Sequence, residues 1–171
     1  MGQIREKLSN LKSYKTSFHQ AKASSKSTGF QLLLKNEKQN KKIGTIIEKL
    51  LSYEGYGEIE VPGSIMRFLP DITNLSVNDL TGLLEMSTSS YYRKIKTGLL
   101  EMDSVDKMSS LLKIYQKGIE AFEDNRGDFE EWLNTQIPNL GNKKPIELLK
   151  TENGRLAVLD SINRIEHNVY G

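Results

Sequence analysis

Residues 75–98 read LSVNDLTGLLEMSTSSYYRKIKTG, and this stretch decides the fold class. Ser76 followed three residues later by Asp79 is a capping box, in which a hydroxyl takes an orphan amide at a helix start. Val77, Leu80, Leu83 and Leu84 then share one helical face. After only Glu85 and Met86, the hydroxyls of Ser87, Thr88, Ser89 and Ser90 offer a cap for a second helix over Ser89 to Lys96, which Gly98 ends. Two short helices joined by a tight turn make a helix-turn-helix. The second helix carries Arg93, Lys94 and Lys96 and no acid from Thr88 to Lys96. An α-helix fits the major groove of DNA, amides and hydroxyls at its N-terminus reach phosphates, and Arg pairs bidentately with guanine. Thr88, Ser89, Ser90, Tyr92, Arg93, Lys94 and Lys96 are therefore the candidate DNA contacts, with Tyr91 and Ile95 turned inward.

Working downstream, Ser104 is expected to open a long bracing helix with Val105, Met108, Leu112, Tyr115, Ile119 and Phe122 on its inner face. A further module starts after Gly127. Phe129, Trp132 and Leu133 share a helical face, and Pro145 suits the first turn of a helix holding Ile146, Leu148 and Leu149. Thr151 caps a last helix whose apolar stripe reads Leu156, Leu159, Ile162, Ile165 and Val169, with Asp160 and Arg164 paired on the wet side. Upstream, Ile43, Ile46, Ile47, Leu50 and Leu51 keep helical spacing, and the alternation Glu58-Ile59-Glu60-Val61 predicts a short extended piece. Ile4, Leu8, Leu11, Tyr14 and Phe18 describe a basic amphipathic helix, followed by a Ser/Lys-rich linker over Ala21 to Gly29. The expected organisation is all-α: a basic N-terminal arm and linker over residues 1–40, a helix-turn-helix DNA-binding domain over 41–126, and a small helical domain over 127–171.

The chain has 171 residues, of which 27% are charged and 37% hydrophobic, the composition of a folded globular protein. With no cysteine there is no disulfide framework, no thiolate nucleophile and no Cys-based zinc site, and only His19 and His167 remain as imidazoles, so metal catalysis is not expected. No apolar run is long enough for a membrane span or a secretory core, so a cytoplasmic protein without a membrane partner is expected. Residues 1–50 hold 11 Lys and Arg against 3 acids, whereas residues 101–171 hold 9 against 13. The basic front points to an anionic partner. There is no phosphate-cradling glycine loop, no nucleophile with a base and no carboxylate pair arranged for acid/base work, so no catalytic residue, metal or cofactor is expected and the chain reads as a non-enzyme.

The stretch WLNTQIPNLGNKKPIELLKTENGRLAVLDSINRIEHNVYG, from Trp132 to the last residue, resembles the C-terminal domain of Xre/MbcA/ParS-type antitoxins. That family's pattern falls on Trp132 and Leu133, Pro138 and Asn139, Leu140 and Gly141, Pro145 with Leu148 and Leu149, Thr151 with Gly154, and Arg164, Ile165 and Glu166. The likeness covers roughly residues 45 to 171. It departs from the pattern at Asn168, where the family usually has a glycine that ends the helix. The resemblance implies a type II antitoxin that neutralises a cognate toxin and represses its own operon through the helix-turn-helix; because helix-turn-helix dimers read palindromic operators, a homodimer on operator DNA is expected. The usual partner is a RES-domain toxin that degrades NAD, or a related ADP-ribosyltransferase, whose active site the antitoxin's C-terminal tail occludes. Carried onto this chain, the toxin-binding residues are Arg164, Glu166, His167, Asn168, Val169, Tyr170 and Gly171. The competing reading is a stand-alone helix-turn-helix regulator with no toxin.

Overall fold

Ile43, Ile47 and Leu50 recur at helical spacing and are buried together along α1 (Glu37–Ser52), which makes this helix one wall of the core. The computed structural model describes residues 37–96 and 98–167, with side chains from residue 42 onward. Of the basic arm and linker expected over residues 1–40, residues 1–36 lie outside the described residues and the last four belong to the start of α1. After α1 come a 3-10 helix (Gly63–Phe68), α2 (Leu69–Thr73), α3 (Val77–Leu83), α4 (Thr88–Lys96), α5 (Met102–Ala121), α6 (Arg126–Leu133), a 3-10 turn (Pro138–Leu140), α7 (Pro145–Leu148) and α8 (Glu152–Glu166). The described residues form no β-strand, so the all-α expectation holds.

The long helix α5 is the axis of the molecule: α1, α6 and α8 all pack on it. Its inner face buries Val105, Met108, Leu112, Tyr115 and Ile119, the residues that the sequence spacing selects. Against α1 the apolar contact is joined by polar ties. Ser109 donates to the Leu50 carbonyl at 2.6 Å, and the Lys113 ammonium donates to the Tyr53 carbonyl. Against α6 the seam is aromatic. Phe129 meets Tyr115 edge-on at 5.4 Å and Trp132 stacked at 6.1 Å, and Phe122 lies 5.9 Å from Trp132. Such pairs add to the stabilisation that burial alone gives. One continuous core runs from Ile43 through Tyr91, Tyr115 and Phe129 to Ile162.

Three local expectations need correction. The long helix starts at Met102, with Glu101 in the N-cap position, so Ser104 is a buried residue of the first turn and not the cap. The piece around Val61 is extended but pairs only locally: the Leu100 amide donates to the Val61 carbonyl at 2.8 Å and the Gly63 amide to Gly98 at 3.0 Å, giving an isolated bridge and no strand. The third correction concerns α8, where Leu156 is exposed and the buried residues are Gly154, Val158, Ser161 and Ile162. The 3-10 helix and α2, which bury Ile65, Met66, Leu69 and Ile72, have no counterpart in the sequence reading.

Candidate functional site

Helix α4 is fixed on its inner side by one aromatic. Tyr91 is 1% exposed, and its hydroxyl donates to the Met66 carbonyl at 2.5 Å, tying α4 to the 3-10 helix beneath it. Burial pushes the Tyr91 phenol up to about 12, so it remains a donor across the ordinary pH range. Ile95, one turn on, is partly buried against the core, as expected. Tyr92 stands edge-on to Tyr91 with ring centroids 5.8 Å apart and is 51% exposed.

The start of α4 is capped as the serines foretell. The Ser87 oxygen accepts the Ser90 amide at 3.1 Å, and the Ser87 hydroxyl donates to the Ser90 oxygen at 3.0 Å. The Arg93 guanidinium donates to that same Ser90 oxygen at 3.4 Å. Thr88, Ser89, Tyr92, Arg93 and Lys96 all lie on exposed surface, and Ser90 is half-buried. Lys94 is different: its ammonium is held 2.9 Å from Glu101 and its side chain is mostly covered, which directs it toward the base of α5. Six of the seven residues proposed from sequence thus share the open side of α4 and its first turn, while Lys94 serves the scaffold.

The turn between α3 and α4 is held from below. Glu85 adopts a left-handed backbone, φ 52°, where glycine is the usual helix-ending residue, and the following amide of Met86 donates back to the Thr81 carbonyl at 3.0 Å. Lys107 on α5 grips the Glu85 carboxylate at 2.6 Å and Asp103 at 3.0 Å. Those hydrogen bonds, Glu85 first, raise the lysine above its usual range. The start of α3 carries the expected cap, with Ser76 accepting the Asp79 amide at 3.1 Å.

The C-terminal region builds a second exposed surface on a rigid base. Pro138–Leu140 form a 3-10 turn that Gly141 closes at φ 70°, and Pro145 starts α7 buried in the core. Thr151 caps α8 by accepting the Gly154 amide at 3.1 Å. Gly154 is required by space: a Cβ there would lie 2.0 Å from the Leu148 carbonyl oxygen, so the first turn of α8 can press directly on α7. Arg155 donates to the Leu149 carbonyl at 3.1 Å and closes the same corner. On the outer side Arg164 pairs with Asp160 at 2.9 Å, and Glu166 and His167 are exposed at the helix end. Asn168, Val169, Tyr170 and Gly171, the remaining toxin-binding candidates, lie outside the described residues. Among the described residues no group of three or more His, Asp or Glu is placed to hold a metal ion, and no helix is long and apolar enough to cross a membrane.

Residues 117–167, from the last turn of α5 to the end of α8, match the family described as the antitoxin Xre/MbcA/ParS C-terminal toxin-binding domain. Antitoxin Xre of Yersinia enterocolitica serotype O:8 is 30% identical over 84 residues, 49% of this chain and 57% of that protein. Antitoxin Xre of Photorhabdus laumondii is 23% identical over 110 residues, 64% of this chain and 74% of that protein. The shared stretch therefore spans little more than half the length of the Yersinia protein. The glycine seats, the Thr151 cap and the Pro-Asn-Leu-Gly turn that shape this region are the same residues that carry the sequence resemblance, and over this part the chain is similar to the Xre/MbcA/ParS-type antitoxins.

Proposed function

We propose that the chain is the antitoxin of a type II pair: it binds a cognate toxin through residues 127–171 and represses its own operon through a helix-turn-helix domain over residues 41–126. The observation that carries this reading is the family match over residues 117–167, whose description is a toxin-binding domain. The toxin is a RES-type NAD-degrading enzyme or a related ADP-ribosyltransferase, and Arg164, Glu166, His167 and the tail Asn168 to Gly171 occlude its active site. Tyr170, an aromatic side chain, stacks in the nicotinamide pocket. No group of this chain has to act as a catalyst in that scheme.

For operator binding the support is the exposed set on α4, Thr88, Ser89, Tyr92, Arg93 and Lys96, on a helix anchored by Tyr91. A homodimer in the cytoplasm, reading a palindromic site with half-sites about one helical turn apart, fits this arrangement. The experiment is to express the product of the neighbouring gene, with the full chain or with the chain shortened after Glu166, while following growth and NAD. Rescue by the full chain alone supports tail occlusion. Rescue by both moves inhibition to the body of the domain, and rescue by neither leaves the stand-alone regulator.

A further inference from the structure

Leu156 is 59% exposed, and among the described residues from 117 to 167 it is the only large apolar side chain left on the surface. Nothing in the fold requires a leucine there, because α8 is already anchored by Val158, Ser161 and Ile162, and its first turn is locked by Thr151 and Gly154. The residues around it form a track. At about 100° per residue, Leu156, Asp160, Arg164 and His167 fall within about 80° of one another on the side opposite Val158 and Ile165. Ala157 and Asn153, also exposed, flank it. The track is about 16 Å long and leads from the first half of α8 to its C-cap, His167.

We propose that this outer face of α8, anchored at one end by Leu156 and rimmed by the Asp160–Arg164 pair, is a docking surface for the body of the toxin that adjoins, at Arg164 and His167, the residues that occlude its active site. The proposal rests on the antitoxin reading. Its occupant is a protein surface with an apolar pocket for Leu156, bordered by groups that complement the carboxylate of Asp160 and the guanidinium of Arg164. Two observations select that occupant: the face lies within the region matched as a toxin-binding domain, and it runs without a break into the proposed toxin-binding residues Arg164 and His167. An apolar anchor inside a polar ring is the usual anatomy of an energetic centre at a protein interface.

The test uses the full chain and, as probe, a catalytically inactive form of the toxin encoded beside it, with the dissociation constant read by calorimetry. Leu156→Glu is expected to weaken binding at least tenfold and Leu156→Ala by less, with the melting temperature and operator affinity of both variants unchanged. If Leu156→Glu lowers the melting temperature, Leu156→Ala decides. Toxin affinity within twofold of wild type in stable variants overturns the proposal while leaving the antitoxin reading intact. A shift from dimer to monomer with unchanged toxin affinity also overturns it, assigning the face to a second copy of the chain. A wild-type chain that binds no toxin overturns the antitoxin reading, and this proposal with it.

Discussion

Gly118 on α5 and Phe129 on α6 are packed so closely that a Cβ on the glycine would lie 2.1 Å from Cε2 of the ring. This is a close point of the seam between the long bracing helix and α6, and the ring it admits also meets Tyr115 and Trp132. The absence of one side chain thus allows an aromatic cluster to join the two parts of the chain into one core.

The Gly118→Ala chain is expected to be less stable by about 1–3 kcal/mol, as for other overpacked cores. Helix propensity favours alanine by about 1 kcal/mol, so the two effects have opposite signs and the clash wins only if the ring cannot retreat. Phe129 is fully buried among Tyr115, Phe122 and Trp132, which leaves it little room. Thermal unfolding checks this, and a melting temperature equal to or above wild type would refute the packing argument.

At the start of α8 the two sequence motif residues are expected to rank in a definite order. Thr151→Ala removes a cap and should cost about 1 kcal/mol. Gly154→Ala sets a methyl against the backbone carbonyl of Leu148, which cannot move aside as a side chain can, and should cost more. Urea midpoints of the two variants give the order directly.

On the proposed DNA face, Arg93→Ala should weaken binding to the DNA upstream of the gene by about 1–3 kcal/mol without changing toxin affinity. Lys94→Ala should do much less, because its ammonium is engaged by Glu101. Gel-shift titrations of both variants across a salt series test the contrast. Equal losses would mean that Lys94 leaves Glu101 when DNA binds.

Stability at high pH should report Tyr91. Its phenol ionises near 10 in the unfolded chain and is pushed up to about 12 by burial in the folded one. Below pH 10 the group is neutral in both states and the shift has no effect. As pH rises through 10 toward 12 the unfolded chain gives up its proton first, so folding loses up to about 3 kcal/mol over that window. Burial raises Tyr115 as well, so it adds to the loss from the same pH upward and continues to do so at still higher pH. Urea unfolding between pH 9 and 12 should show a shallower decline for Tyr91→Phe, whose stability starts lower because the Met66 carbonyl has lost its donor. Parallel declines in both proteins would remove Tyr91 from the explanation.

The caps were the most legible part of the fold. Ser76, Ser87 and Thr151 each accept the amide three residues on, because a hydroxyl at a helix start has few better partners. The inner face of α5 was legible for a related reason: its spacings alternate between three and four and so keep to one side. Leu156, Leu159, Ile162 and Ile165 step by three throughout, and each step turns the helix back by about 60°, so the first and last residues of that stripe point in opposite directions. That drift puts Leu156 in water and Ile165 against the core. The pairing of Lys94 with Glu101 could not be read from spacing, since it depends on how α4 and the start of α5 fold back on each other.

The most direct test of the account is growth and NAD content in cells that express a RES-type toxin, taken from the neighbouring gene if it encodes one, with this full chain. Restored growth and NAD, with the two proteins co-purifying, is the result the account predicts. Undiminished toxicity with both proteins present and folded would contradict it.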